Sequence, residues 1–178
     1  MHPLKQFITL IDDADIWDAT KSLSRGDYLK SGGSTDTNLY YVESGCLRAY
    51  TILEDREHTI RLGYRDNIIA ALDSFLTGRP SAIYLQALKA TKVRVLSRAT
   101  FEHFLTLHER HRQLWTELLQ LTIAELMERE QDLLIDDPAE RYRRVLARSP
   151  QLFQEVPQKY IAAYLRMTPE TLSRLKKS

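Results

Sequence analysis

The sequence predicts an α+β protein. An N-terminal antiparallel β-roll of the double-stranded β-helix (jelly-roll) type, with flanking helices, precedes a long helix and a C-terminal pair of short helices. Short β-prone runs separated by turn residues fill the region 25–96, which is typical of antiparallel sandwiches and rolls. Neither glycine nor proline occurs between Pro80 and Pro138, where helices are therefore favoured. Two short amphipathic segments then follow within 158–177.

In chain order, residues 3–24 show a broken helical pattern of apolar residues. The runs 39–42, 46–53, 58–62, 83–88 and 93–96 predict strands, because they are rich in β-prone residues and bounded by turn residues. Residues 98–108 and 111–135 predict two helices, the second of them long.

The long helix at 111–135 carries more apolar residues than one stripe can hold. We therefore expect one side to cover the β-roll and the other to meet a second copy of the chain, giving a homodimer. The alternative is a single helix buried inside a monomer.

A helix start follows at residue 137. Asp137 suits the N-cap, Pro138 the first helical position, and Glu140 completes a capping box. We place the domain boundary here, with residues 1–136 in the first domain and 137–178 in the second.

The final segment predicts a helix with one apolar and one polar face. Thr168 is a good N-cap and Pro169 suits the first helical position. Leu172 and Leu175 share one face. Glu170, Ser173, Arg174 and Lys177 lie around the other face. Glutamate can accept from a cytosine amine and arginine can bind guanine through two donors, so this polar face suits contact with base edges.

The segment before it, 158–167, predicts a partner helix that crosses at a steep angle. Ile161, Leu165 and Met167 would fill the angle between the two helices, and the small Ala162 would allow close approach. An ordinary helical hairpin is the alternative interpretation of this pair.

Charge is distributed unevenly along the chain. The formal net charge is +1, but residues from Ala139 onward contain nine Lys and Arg against three Asp and Glu, whereas the upstream part has 16 against 21. A basic C-terminal region on an acidic body favours polyanion binding at that end.

Cys46 is the only cysteine, which excludes a disulfide framework, and we expect it to be a small buried residue. No signal peptide and no apolar run of membrane-spanning length is visible, so we expect a cytoplasmic protein with no membrane association.

The stretch from Pro157 to Arg174 resembles the helix-turn-helix of Crp/Fnr-family transcription regulators, and its Glu170-x-x-Ser173-Arg174 matches the base-contacting signature of Fnr-like members. The order of helix, β-roll, long helix and helix-turn-helix is also similar to that family. One residue departs from the pattern, because Arg166 stands where the family usually has glycine at the turn. The segment 149–156 is too short for a full wing hairpin, so we expect a winged-helix type with a short or missing wing. The family's Fe–S variant is excluded, since it needs several cysteines.

The resemblance implies a homodimer that binds palindromic DNA, and contact with RNA polymerase if the protein is an activator. It implies that Glu170, Ser173 and Arg174 contact bases and that Thr168 and Thr171 lie near phosphates. We expect Lys176 and Lys177 to contact the DNA backbone.

Family members that bind cyclic AMP carry Gly-Glu and then Arg-Ser or Arg-Thr in one loop of the roll. Here that place holds Ile69-Ala70-Ala71-Leu72-Asp73, and Pro80 separates Arg79 from Ser81. We therefore expect an effector other than cyclic AMP, if the protein has one. The candidate effector-pocket residues are Asp73, Ser74, Arg79 and Ser81, with a solvated turn as the alternative.

No catalytic motif stands out, so we expect no enzymatic activity, no metal and no cofactor. A cupin-like metal enzyme would need several strand histidines, but only His58 falls in the strand region. Two alternative functions remain. In one, the β-roll binds a ligand and acts through a protein partner; in the other, the roll is a metal-dependent enzyme.

Overall fold

The computed structural model describes residues 2–177, within which eight helices and eight strands occur. The elements in chain order are α1 (Pro3–Asp13), β1 (Ala19–Leu23), β2 (Tyr28–Lys30), β3 (Asn38–Ser44), β4 (Cys46–Leu53), β5 (Arg56–Tyr64), β6 (Ile68–Ile69), α2 (Leu72–Thr77), β7 (Tyr84–Ala87), β8 (Thr91–Ser97), α3 (Arg98–Leu107), α4 (Glu109–Leu134), α5 (Pro138–Arg148), α6 (Leu152–Glu155), α7 (Gln158–Tyr164) and α8 (Pro169–Leu175).

The strands form two four-stranded antiparallel sheets, ordered β1-β8-β3-β6 and β2-β7-β4-β5. Alternate side chains point into the space between the sheets and form one apolar core. Val42, Leu47, Leu85 and Val93 are fully buried there. This arrangement confirms the predicted antiparallel roll.

All five predicted strands are present, but three further strands were not predicted. The helical pattern assigned to 3–24 is wrong beyond Asp13, because 19–23 forms β1. This strand lies at a sheet edge, and only Leu23 is even partly buried. Without a buried face it shows no alternation in sequence, so pairing with β8 determines its structure.

Helices α1, α3 and α4 share an aromatic core at one end of the roll. The Phe7 ring packs edge-on against Phe101 and Phe104, with centroids 6.2 and 5.9 Å away. Phe101 in turn packs against Trp115 of α4 at 4.7 Å. This core fixes the first third of the long helix against the roll.

The second half of α4 leaves one side uncovered. Large apolar side chains at Ile123, Leu126, Met127 and Leu134 are 45–78% exposed, and their spacing places them on one face. We call these four residues the α4 stripe.

The C-terminal helices pack against the outer face of β4 and β5. Cys46 and Leu62 of the roll share a buried cluster with Val156, Ile161 and Ala162 of the C-terminal helices. Burial raises the pKa of the Cys46 thiol to about 11, as expected of a packing residue.

Helix α5 begins as predicted. The Asp137 carboxylate accepts from the main-chain N–H groups of Ala139 and Glu140, and Pro138 occupies the first turn. From Arg98 to Lys177 the chain forms helices and turns and no strand, and the segment 149–156 contains the short helix α6.

Candidate nucleic-acid interface

Helix α8 is built as its sequence predicts. The Thr168 hydroxyl oxygen accepts from the Thr171 N–H at 3.2 Å, and Pro169 begins the helix. Leu172 is fully buried against α7, beside the equally buried Ala162 and Ile161. A small residue at 162 therefore lets the two helices cross closely.

The opposite face of α8 projects into solvent. Glu170 and Arg174 are exposed and Ser173 lies half-buried between them; we call these three residues the recognition face. The remaining predicted contact residues surround it, with Thr168, Lys176 and Lys177 exposed and Thr171 half-buried. All seven predicted DNA-contact residues therefore lie on α8 or directly beside its ends, and none of them is fully buried.

Glu170 presents an ionised acceptor. Hydrogen bonds from its own main-chain N–H and then from the Thr168 hydroxyl lower its pKa from the usual value. Acceptor, hydroxyl and guanidinium stand on a single short helix, which is the chemistry needed to contact base edges.

The turn between α7 and α8 contains a left-handed residue. Arg166 has φ of +51°, the conformation that favours the family's usual glycine. Two arginines bind the main chain at this turn. Arg141 of α5 donates through Nε to the Leu165 carbonyl at 2.6 Å and through Nη2 to the Arg166 carbonyl at 3.2 Å. Arg129 of α4 donates to the Tyr164 carbonyl at 3.0 Å.

Sequence reasoning missed both of these arginines. The Arg141 side chain is buried and binds only carbonyls, including that of Ile135. Nothing local distinguishes it from the neighbouring arginines of a basic amphipathic helix. Two of its three acceptors, the carbonyls of Leu165 and Arg166, lie 24 and 25 residues away, so no short-range pattern could have found them.

A buried acid fixes α5 to the end of α4. Both Asp132 carboxylate oxygens are paired, with Arg144 at 2.8 Å and Arg148 at 2.6 Å. Burial alone would raise the pKa of Asp132, but the hydrogen bonds and charges of Arg148 and Arg144 together outweigh it and lower the pKa.

The four candidate effector-pocket residues lie close in the chain, and they divide into a buried pair and an exposed pair. Ser74 and Ser81 are buried and bonded internally: the Ser74 hydroxyl donates to the Arg79 carbonyl at 2.7 Å, and Ser81 Oγ accepts from the Ile83 N–H at 3.1 Å. The Asp73 and Arg79 residues are exposed.

A buried lysine, which sequence reasoning also missed, organises the same loop. Lys30 Nζ donates to three carbonyls, those of Ser31, Ser81 and Ile83, at 2.7–3.0 Å. Burial lowers the pKa of this ammonium.

A cavity of about 360 Å³ lies elsewhere, between α4, strands β5 and β6, and the C-terminal helices. Its walls are mostly apolar, with Ile60, Leu62, Leu118 and Leu126 among them, and with Arg129 at the C-terminal side. None of the four candidate effector-pocket residues is part of these walls.

None of the helices within residues 2–177 combines the length and the apolar character needed to cross a membrane.

Comparisons with known proteins agree with this architecture. The family model described as cyclic nucleotide-binding domain matches residues 20–108, which is half of the chain. No curated protein matches this chain.

Among solved structures, the chain is similar to FixK2 from Bradyrhizobium japonicum (TM-score 0.73, 18% identity, 89% of this chain and 82% of that one). It is also similar to a CRP-family transcriptional regulator from Thermus thermophilus (TM-score 0.64, 18% identity, 88% and 82%). A third similar structure is the catabolite activator protein of Thermus thermophilus (TM-score 0.61, 20% identity, 98% and 85%). These likenesses establish a shared fold that extends over most of the chain, and the family match identifies the roll: the chain belongs to the cyclic nucleotide-binding domain family and has the fold of Crp/Fnr regulators.

Proposed function

We propose that this chain is a sequence-specific DNA-binding transcription regulator that acts as a homodimer on palindromic sites. The observation that carries the proposal is the recognition face of α8. Glu170 and Arg174 point outward on a helix whose other side is fixed by the buried Leu172. The Thermus thermophilus neighbour named above as a transcriptional regulator supports the same function for this fold.

Each side chain has a role in this proposal. Arg174 binds guanine through two donors, Glu170 accepts from a cytosine amine, and Ser173 contacts a neighbouring base. The Thr168 and Thr171 hydroxyls lie near phosphates. Lys176 and Lys177 neutralise phosphates and carry no sequence information.

The α4 stripe supports dimerisation. Four large apolar side chains exposed on one side of a long helix are typical of a surface that pairs with another helix. We propose that pairing through this stripe brings two recognition faces to one side of the dimer, so half-sites about 10 base pairs apart are expected.

A charged substitution tests the stripe. Ile123→Asp is expected to shift the protein to monomer in analytical ultracentrifugation, because a carboxylate would be buried in the contact. Ala124→Asp, exposed on the same helix but outside the stripe, is the matched control and should leave the dimer intact. A dimer that survives Ile123→Asp would place the contact elsewhere.

We assign residues 1–136 to a sensor domain that includes the dimerisation helix (about 111–135), and residues 137–178 to the DNA-binding domain. The effector, if there is one, is proposed not to be cyclic AMP, because the loop lacks the glycine and glutamate of that site and Ser74 and Ser81 are engaged internally. As an activator, the protein would also contact RNA polymerase.

Selection of binding sites from a random DNA pool, with and without cell extract, tests the proposed function. An enriched palindrome with strong salt dependence is expected. Weak, salt-insensitive binding without enrichment would instead favour a β-roll that acts through a protein partner. The double variant Glu170→Ala, Arg174→Ala should fold normally and enrich no site.

A further inference from the structure

Arg129 joins three parts of the molecule through one guanidinium. It stands on α4, donates through Nη2 to the Thr59 carbonyl of β5 at 2.9 Å, and donates through Nη1 to the Tyr164 carbonyl of α7 at 3.0 Å. Its guanidinium carbon also lies 3.7 Å from the centroid of the Tyr164 ring. The sensor roll, the long helix and the turn before α8 therefore meet at this side chain.

Both acceptors are groups that regular secondary structure leaves available. Tyr164 is the last residue of α7, where helical carbonyls have no partner within the helix. Thr59 lies beside a β-bulge, since Tyr50 pairs with Thr59 but Ala49 pairs with Arg61, leaving Ile60 without a partner. A positive charge at the C-terminus of α7 also interacts favourably with the helix dipole.

The charge of Arg129 is directed at these carbonyls. Asp132, the acid one turn further along α4, is already paired with Arg144 and Arg148. Burial lowers the pKa of Arg129, although a guanidinium stays protonated. The half-buried guanidinium is stabilised by main-chain acceptors at fixed positions, so the contact is directional.

The bound carbonyl is next to the turn that orients α8. Arg129 binds residue 164, and Arg141 binds the next two carbonyls, 165 and 166. Arg141 lies on α5, itself one of the C-terminal helices, whereas Arg129 lies on the long helix. Of these two arginines, Arg129 is therefore the one that connects the turn to the roll and to the helix that carries the α4 stripe.

We propose that Arg129 is a positioning residue for DNA recognition, which sets the angle of α8 relative to α4 and thereby the half-site spacing that the dimer accepts. This inference rests on the proposed function. Without this contact the recognition face stays intact, but its orientation relative to α4 is no longer fixed. Affinity for one half-site is then preserved while the preference between spacings is lost.

The test compares Arg129→Met with the wild type on duplexes whose half-site spacing is varied one base pair at a time, and on a duplex with a single half-site. We expect the preference for the best spacing to fall about tenfold, and single half-site affinity to change by less than about twofold. Arg61→Met is the matched control. It removes a 2.7 Å link between β5 and Glu125 of α4 that does not involve α7, and it should keep the wild-type preference.

Amide hydrogen exchange gives a readout that needs no DNA. Amides of 158–168 should exchange about tenfold faster in Arg129→Met than in the wild type or Arg61→Met, because α7 separates from the roll more often. Arg129→Lys, which keeps the charge but not the two-pronged donor geometry, should be intermediate in both measurements.

A folded Arg129→Met protein with wild-type spacing preference and wild-type exchange would overturn the proposal, as would an equal loss in Arg61→Met. Failure of both Arg129 variants to fold would also overturn it, since Arg129 would then be needed for stability alone. If the wild type selects no DNA, the proposed function fails, while the exchange measurements still decide whether Arg129 holds the turn.

Discussion

Replacing Arg166 with glycine is expected to stabilise this protein, although most substitutions destabilise. Arg166 has φ of +51°, which costs a residue with a Cβ about 1–2 kcal/mol. Glycine removes that cost, but its greater conformational entropy in the unfolded chain offsets about 0.5–1 kcal/mol of the gain. The side chain is exposed, and the contacts made by residue 166 that hold the turn are main-chain bonds to Ala163 and Arg141, which glycine retains. With the middle value of each range, the net gain is about 0.75 kcal/mol.

The assay is thermal unfolding followed by circular dichroism. For a chain of this size, the expected rise in Tm is about 1–4 °C, with DNA affinity retained. Arg166→Ala is the matched control, because it removes the same side chain while keeping the left-handed strain, and it should not raise Tm. A fall in Tm for Arg166→Gly, or an equal rise for Arg166→Ala, would refute the assignment of strain to this backbone conformation.

Three other substitutions have defined outcomes. Gly45→Ala should lower the free energy of unfolding, measured in urea, by about 3 kcal/mol, because Gly45 has φ of +86° and a Cβ there would overlap the Ala90 carbonyl oxygen. Gly33→Ala is the matched control and should lower it by only about 1 kcal/mol, because Gly33 has φ of +82° but open space around it. Asp132→Asn should lower the free energy of unfolding by about 2–4 kcal/mol at pH 7. The pKa of Asp132 is lower in the folded protein than in the unfolded chain, where it is about 3.9. The ionised carboxylate therefore contributes fully to the free energy of unfolding above that value, and this contribution is lost as the pH falls through the folded pKa. The unfolding curves of wild type and Asp132→Asn should thus converge in acid. Lys177→Ala should weaken binding to all DNA sequences alike and reduce the salt slope by about one unit; a sequence-dependent effect would give this lysine a base contact instead.

Most of the fold could be predicted where local pattern and tertiary environment agree. Strand β4 carries its own β-prone run and turn residues at both ends, and its predicted bounds match the structure. Helices α5 and α8 begin with an N-cap and a proline that act within four residues. The edge strand β1 was not predicted, because its stability comes from pairing with β8 some 70 residues later.

The candidate interface was predictable for the same reason, since the recognition face lies within five consecutive residues of one helix. The residues that hold this face were not predictable. Arg129, Arg141 and Lys30 bind main-chain carbonyls that are distant in sequence, and a carbonyl has no sequence signature. Asp73, Ser74, Arg79 and Ser81 stay a prediction, since they were chosen by their position in a loop whose buried hydroxyls serve its own main chain.

The most direct test of the recognition face measures affinities of wild type and Arg174→Ala for the selected palindrome and for variants of it changed at each base pair in turn. The wild type should lose about 1–3 kcal/mol of binding free energy for a change at the guanine that Arg174 is proposed to contact, symmetrically in both half-sites. Arg174→Ala should bind the palindrome more weakly by a similar amount and no longer distinguish bases at that one position, while discrimination elsewhere persists. Unchanged binding of Arg174→Ala to the palindrome, or an equal weakening on every sequence, would contradict the assignment of α8 as the helix that recognises DNA bases.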